Sequence, residues 1–351
     1  MILAILVIIF VLGILILAHE FGHFVAAKLS GVRVEEFGLG MFVKLWSVKK
    51  GETEYSVNAI PIGGFVKITG EDEAVKGDKR SFSEKSPWQQ IFILGSGVFM
   101  NLVVALLIFI ITFWVGMPIW GTRVKITKVG ADTPAAQAGL AASDVILKIG
   151  DQKVESSQDL VFYTQAHLDQ NAILTIQRDG NNIESSIFLR ANPPSGQGAM
   201  GIESQTEVYV AAYSQNSFLE GIKKGCQTTF ETAGTIAQGM YFLFRDLIIH
   251  QKAPADVAGP VGIGQIVFEL LKFGIRPVLQ FAGIISLNLL FINLLPIPAI
   301  DGGRILFVAI EAITRRKIPS KVNRWANATG MVLVLILMVV ITFHDIVRLF
   351  D

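Results

Sequence analysis

The sequence is poor in cysteine and in charged residues. Cys226 is the single cysteine among 351 residues, which excludes an internal disulfide and a cluster of thiolate metal ligands. Charged residues make up only 17% of the chain, and the net charge is +1. This balance gives no sign of nucleic-acid binding or of a strongly acidic partner, and we expect neither.

What the chain has in excess is long apolar runs. Apolar residues make up 52% of it, and uncharged stretches cover residues 1–18, 91–115, 278–300 and 325–343. A helix of about 20 apolar residues crosses a bilayer core. The runs therefore predict four transmembrane helices. A cleaved signal peptide fits the first run poorly, because no basic residue precedes it.

The basic residues predict which side of the membrane each loop faces. Lys28 and Arg33 follow the first run, and residues 304–326 carry six basic residues against one acid, Glu311. Both loops are therefore expected in the cytoplasm. An even number of spans must separate them, so we predict that residues 226–249, which contain several charges, form an amphipathic interfacial helix.

Between the second and third runs the texture is that of a soluble domain. Residues 119–204 contain short alternating strands, one helix and a hairpin that turns at residues 179–182. The predicted topology places this domain outside the cytoplasm.

The first apolar run ends in an HExxH sequence, His19-Glu20-Phe-Gly-His23. Two histidines four residues apart lie on one face of a helix and can bind the same Zn²⁺, while the glutamate is placed to act on water. Ionisable groups in a span are costly and by default functional. The alternative is a polar helix end at the membrane interface.

A catalytic zinc usually has three protein ligands, and the sequence offers few candidates for the third. Asp301, in NLLPIPAIDGG, is expected at the same membrane side as HExxH, and Pro296 and Pro298 break the helix before it. By itself Asp-Gly-Gly would indicate a turn. The remaining histidines are expected elsewhere: His167, His250 and His344.

Together these motifs resemble those of the site-2 proteases, the zinc intramembrane metalloproteases, and in particular the RseP-type members. HEFGH and NLLPIPAIDGG resemble two family motifs, with Ile300 in place of leucine. GVFMN (97–101) resembles GPxxN, with Val98 in place of proline. Further resemblances lie in PIGGFVKITGE (61–71), in AGPVGIG (258–264) and in the PDZ-like TPAAQAGLAASDVILKI, where Ser143 replaces glycine.

The resemblance implies a fold class and a site. The chain is expected to be a polytopic α-helical membrane protein with four transmembrane helices, one inserted α+β PDZ domain and a small membrane-associated β-hairpin. His19, His23 and Asp301 would bind Zn²⁺, with Glu20 as the catalytic base. The expected segments are 1–28 (first helix), 29–86 (hairpin loop), 87–116 (second helix), 117–206 (PDZ domain), 207–276 (interfacial helices), 277–303 (third segment), 304–326 (cytoplasmic loop) and 327–351 (fourth helix).

The expected activity is hydrolysis of a peptide bond in a transmembrane segment. Substrates would be single-span proteins trimmed by an upstream site-1 protease, such as anti-sigma factors, or signal-peptide remnants, in a bacterial inner membrane. The candidate substrate-binding residues are Asn101, Asn293, Gly63, Gly64, Phe65 and Val66. The asparagines are equally suited to interhelical hydrogen bonds, and the hairpin to a scaffolding role.

Two other classes of protein are alternatives to a protease. A zinc or proton transporter would need ionisable groups distributed through several spans, and the second and fourth runs show nearly none at depth. A catalytically inactive PDZ scaffold would not be expected to keep Glu20 between both histidines.

Overall fold

The computed structural model describes residues 2–71, 75, 77–246, 249 and 258–348. It divides the chain into two compact units. The helical unit comprises residues 1–117 and 215–351, and the inserted unit comprises Pro118–Ser214. His250, considered above as a ligand, lies outside the described residues.

The helices and strands alternate in long stretches along the chain. In chain order they are α1 (Ile2–Leu29), β1 (Val34–Lys50), β2 (Thr53–Ile68), α2 (Pro87–Val115), β3 (Pro118–Val129), α3 (Pro134–Gln137), β4 (Val145–Ile149), β5 (Gln152–Lys153), α4 (Ser157–Ala166), β6 (Asn171–Arg178), β7 (Asn181–Phe188), β8 (Ile202–Tyr213), α5 (Phe218–Arg245), α6 (Pro260–Leu271), α7 (Ile275–Leu294), α8 (Asp301–Thr314) and α9 (Ser320–Val347).

Four helices in the described part of the chain are long and apolar enough to cross a bilayer, namely α1, α2, α7 and α9. They correspond to the four apolar runs. Helix α5 is not among them. It packs along α2, where Gly221 approaches Trp114 and Ala233 packs in the cluster around Phe109. Its predicted interfacial position stays a prediction.

Local sequence explains where several helices begin and end. Ser86 and Gln89 form a capping box at the start of α2, followed by Pro87 in the first turn. Helix α7 ends at Leu294 because the prolines that follow cannot continue the backbone hydrogen bonding. The predicted third segment, 277–303, therefore comprises most of α7, a loop at 295–300 and the first turn of α8.

Strands β1 and β2 form a curled sheet beside α1. Residues 34–39 of β1 pair with residues 64–68 on one side and with residues 54–57 on the other. The segment 64–68 therefore lies at an edge of the sheet. Rings of Phe24, Phe37 and Tyr55 pack between the sheet and α1, with Phe24 and Phe37 centroids 5.3 Å apart.

The inserted unit is a sheet in the order β7-β6-β4-β3-β8, with β5 paired to β4. Its core contains fully buried aliphatic side chains from β3, β4, β6 and β7, among them Ile126, Ile146 and Leu174. The hairpin predicted at residues 179–182 corresponds to the turn between β6 and β7. This unit therefore has the buried aliphatic core of a globular domain.

Candidate active site

Three potential metal ligands converge in the helical unit. The Nε2 atoms of His19 and His23 lie 3.1 Å apart, and Asp301 Oδ2 lies 2.9 Å from the first and 3.3 Å from the second. Both histidines are 6% exposed. Within the described residues, this is the single group of three or more His, Cys, Asp or Glu side chains with converging ligand atoms.

Two helices supply these side chains from opposite ends of the chain. His19 and His23 are four residues apart in α1, so both face the same side of that helix. Asp301 is the first residue of α8, directly after the proline-containing loop. Arg304, one turn further along α8, forms an ion pair with Glu71 at the end of the sheet segment. The ion pair thus links α8 to the chain beyond β2.

Helix α2 forms the wall of this cluster through a glycine. A Cβ atom added to Gly97 would lie 2.3 Å from His23 Nε2 and 2.8 Å from His19 Cε1. On the other side of the crossing, a Cβ atom on Gly22 would lie 2.5 Å from the Ser96 carbonyl oxygen. These distances are too short for side chains, so the crossing of α1 and α2 requires glycine at both positions.

The second nitrogen of each imidazole is held by α2. His23 Nδ1 donates to the Ile93 carbonyl oxygen at 2.9 Å. His19 Nδ1 lies 3.2 Å from the side-chain amide nitrogen of Asn101, which is fully buried. Asn101 Oδ1 is buried and lacks a donor among the described residues. Exchanging the amide O and N assignments lets Oδ1 accept from His19 Nδ1–H and leaves Nε2 free to bind a metal.

The cluster fits a zinc ion by its donors and its spacing. Two imidazole nitrogens and one carboxylate oxygen are a common donor set for catalytic zinc. Tetrahedral zinc with bonds of about 2.0–2.1 Å keeps its ligand atoms roughly 3.3 Å apart, close to the distances above. Asp301 Oδ2 is buried and accepts no hydrogen bond from the described residues, although two imidazoles adjoin it. A cation would satisfy this oxygen.

Glu20 faces the edge of the sheet beside the cluster. Its Oε2 accepts a hydrogen bond from the Val66 backbone N–H at 3.1 Å. Gly64 packs on the same helix, since an added Cβ would lie 3.5 Å from Leu17 and 3.7 Å from Glu20 Cγ. Gly63 similarly adjoins Ile16. The segment Gly63–Val66 therefore borders the glutamate.

The remaining predicted site residue is Asn293. It is half-buried near the end of α7, and no hydrogen bond joins it to the cluster in the described part of the chain. Two groups at the cluster were not predicted as site residues. Gly97 belongs to the GVFMN motif and was available to sequence reasoning. The other is the Ile93 carbonyl. Because it is a backbone group, the type of residue at position 93 does not indicate the contact.

The buried His-His-Asp cluster with its adjacent glutamate has the residues of a metal-dependent hydrolase, and four helices of the same unit are apolar enough to span a membrane. The model of Peptidase family M50 matches residues 7–337. The chain belongs to that family, which confirms the resemblance to site-2 proteases drawn from the motifs.

Similar proteins extend over nearly the whole chain. A Clostridium perfringens protein described as a zinc metalloprotease is 37% identical over 333 residues, 95% of each chain. Zinc metalloprotease RasP of Oceanobacillus iheyensis is 27% identical, covering 96% of this chain and 97% of its own. Among solved structures, the PDZ domain of a Listeria innocua SdrC-like protein is 30% identical over 23% of this chain and 92% of its own, with a TM-score of 0.21.

Proposed function

We propose that the protein is a zinc-dependent intramembrane endopeptidase. It would cleave transmembrane segments of single-span membrane proteins already trimmed by another protease, such as anti-sigma factors, or signal-peptide remnants. The observation that carries this proposal is the convergence of His19, His23 and Asp301, with Glu20 beside them, inside a unit of membrane-type helices.

His19, His23 and Asp301 are assigned as the zinc ligands. The donor set and spacing support this assignment, as do relatives described as zinc metalloproteases. When bound, zinc supplies a Lewis acid that makes water nucleophilic near neutral pH and polarises the scissile carbonyl. Asn101 would orient His19, and the Ile93 carbonyl would orient His23. We assign Asn101 to this role rather than to substrate contact because its side chain is fully buried.

Glu20 is assigned as the general base. It would take a proton from the attacking water and return it to the leaving amine. The hydrogen bond from Val66 N–H holds one oxygen of its carboxylate at the sheet edge. Because the donor is a backbone amide, the contact orients the carboxylate and adds no ionisable side chain that could take up the proton.

The edge segment Gly63–Val66 is the proposed substrate-binding surface. A transmembrane helix must unwind before its carbonyls become accessible, because they accept hydrogen bonds within the helix. An extended segment can then pair with the edge of a sheet. Pairing along residues 64–66 would bring substrate backbone next to Glu20. Asn293 remains a candidate for contacting the substrate near the proline loop.

The apolar helices and the basic loops support a proposal for the location of the protein. We propose a multi-pass protein of a bacterial inner membrane, with the zinc site towards the cytoplasmic face and the inserted unit on the opposite side. The inserted unit, proposed to be a PDZ domain, would then exclude substrates whose external portion has not been removed.

The test compares Glu20→Gln with the parent protein in detergent, using a model transmembrane substrate. Cleavage should fall by about 10²–10⁴-fold, while zinc content per chain stays at the parental value. Glu231→Gln, an exposed glutamate of α5, is the matched control and should cleave normally. Asp301→Ala should lose zinc, and a zinc chelator should stop the parent.

Parental cleavage by Glu20→Gln would refute the role of this residue. Unchanged zinc occupancy in Asp301→Ala would remove Asp301 from the ligand set.

A further inference from the structure

The loop that precedes Asp301 contains a strained residue. Ala299 has φ of +82°, a left-handed conformation that is unfavourable for a residue with a Cβ atom. Pro296 and Pro298 cannot donate backbone hydrogen bonds. Ala299 lies two residues before Asp301, so its conformation sets the direction in which α8 begins. Something outside the loop must hold it there.

Helix α9 supplies that contact. Asn327 Oδ1 accepts a hydrogen bond from the Ala299 N–H at 3.2 Å. The amide nitrogen of Asn327 donates to Asn323 Oδ1, one turn earlier, at 3.3 Å. The second bond supports the amide orientation, because it requires nitrogen on the side away from Ala299. The Asn327 side-chain oxygen therefore faces the Ala299 N–H, which is the one backbone donor of these two residues because Pro298 has none.

The same face of α9 has no side chain where it meets the loop. A Cβ atom added to Gly330 would lie 2.2 Å from the Pro298 carbonyl oxygen and 2.6 Å from its carbon. Gly330 is buried, whereas most of the residues around it in α9 are exposed. The contact with the loop is thus a local and close one on an otherwise exposed helix.

We propose that Asn327 is a positioning residue for Asp301. It acts through Ala299, by holding the loop in the left-handed conformation from which α8 presents its first carboxylate to the histidines. Gly330 permits the approach. This inference rests on the proposed function, since it takes Asp301 to be a zinc ligand. Asn327 touches neither the histidines nor Asp301 among the contacts of the described residues.

The experiment measures zinc affinity of detergent-purified protein by titration against a competing chelator. Asn327→Ala should weaken zinc binding by about tenfold, the lower end of the effect of removing groups that support a metal ligand. Adding Ala299→Gly should restore most of that loss, because glycine adopts φ of +82° without support. Asn327→Asp keeps an acceptor oxygen and should stay within a fewfold of the parent.

The control is Thr329→Ala, an exposed polar residue of the same helix, which should bind zinc as the parent does. If Asn327→Ala does not accumulate as folded protein, the double variant with Ala299→Gly and the Asn327→Asp variant are compared instead. Parental affinity in Asn327→Ala, or no recovery in the double variant, overturns the inference. A parent that binds zinc no better than its His19→Ala variant overturns the proposed function instead.

Discussion

The inserted unit and the helical unit each contain a largely buried aspartate, Asp144 and Asp301, and the two have contrasting surroundings. In the inserted unit, the Asp144 side chain is 1% exposed and its oxygens accept from Arg178 Nε and Nη2, each at 2.7 Å, and from the Ala141 N–H at 2.8 Å. In the helical unit, Asp301 Oδ2 and Asn101 Oδ1 lack hydrogen-bond donors among the described residues.

Buried polar groups in folded proteins are nearly always hydrogen-bonded, so the exceptions call for an explanation. Asp144 satisfies its oxygens within the protein and stabilises the fold. Asp301 Oδ2 and Asn101 Oδ1 lie at the His-His-Asp cluster, where a metal ion would satisfy the first and the His19 imidazole N–H the second once the Asn101 amide is turned over. Glu36 Oε1 and Ser56 Oγ, in the sheet of the same unit, are also buried without a hydrogen bond from the described residues. If Asp301 binds a metal as proposed, the difference is that between a structural ion pair and a carboxylate that serves as a ligand.

The largest expected effect comes from filling the space beside the histidines. Gly97→Ala would place a methyl group 2.3 Å from His23 Nε2, which must displace the imidazole. We expect zinc affinity and cleavage to fall by about 10²-fold, comparable to the upper range for disturbing the support of a metal ligand. Metal analysis and cleavage of a model transmembrane substrate measure the two effects.

The matched control is Gly95→Ala in the same helix, where an added Cβ would have no atom within 4 Å. It should bind zinc and cleave as the parent does. Equal losses in both variants would show that alanine in α2 is harmful for a reason other than contact with His23.

A smaller effect is expected from removing the buried charge of the inserted unit. Asp144→Asn breaks the ion pair with Arg178 and should destabilise the region around β4 and β6 by about 1–3 kcal/mol, the cost of leaving a buried group unsatisfied. Hydrogen exchange of the amides of these strands in the full-length protein measures the change. Zinc affinity should be unaffected, because Asp144 is not part of the cluster.

The pH dependence of that stability has a definite sign. The Arg178 guanidinium, helped by the Ala141 N–H, lowers the pKa of Asp144 below its usual value. A carboxyl with a lowered pKa in the folded state contributes its stability above the unfolded pKa of about 3.9 and loses it as pH falls towards the folded value. Protection of β4 and β6 should therefore decline below about pH 4.

The decline should be absent in Asp144→Asn and present in Asp151→Asn, an exposed aspartate of the same unit. A variant at Asp144 that kept the full acid-dependent decline would assign that dependence to another group.

The smallest effect is expected at the other end of α9. Asp345 is 4% exposed, and its carboxylate accepts from the Gly259 N–H at 3.2 Å and the Gly262 N–H at 2.8 Å, at the start of α6. Asp345→Ala removes this cap and should lower local stability by about 1 kcal/mol. Faster hydrogen exchange at residues 261–264 would report it, with zinc binding unchanged.

His344→Ala, at the exposed neighbouring position, should leave exchange at these residues unaltered. Loss of zinc in Asp345→Ala would contradict the separation of the two ends of α9.

Features that depend on local sequence were predictable. The apolar run at 91–115 lies within α2, and the run at 1–18 within α1 apart from Met1, which the structure does not describe. Helix length and apolarity are properties of one segment. The i, i+4 spacing of His19 and His23 is equally local, because any helix places such residues on one face. Asp301 was reached through the resemblance of its motif and its expected membrane side.

Contacts between distant segments were not predictable in the same way. Nothing local marks Asn327 as the partner of Ala299, or the Ile93 carbonyl as the partner of His23. The curled pairing of β1, with neighbours from two parts of β2, likewise requires the chain to be folded. Asn293 lies in a family-like motif, yet the structure does not join it to the cluster.

The sequence alone determined the apolar helices, the histidine pair and the class of chemistry, because each depends on residue types at short spacing. Tertiary structure decided which groups surround the cluster. Helices α1, α2 and α8 bring the His-His-Asp cluster, Gly97 and Asn101 together, and α9 contacts the loop before Asp301. Such arrangements depend on differences of a few tenths of an ångström in the separation of segments that are far apart in the chain. The packing of the folded molecule determines these separations.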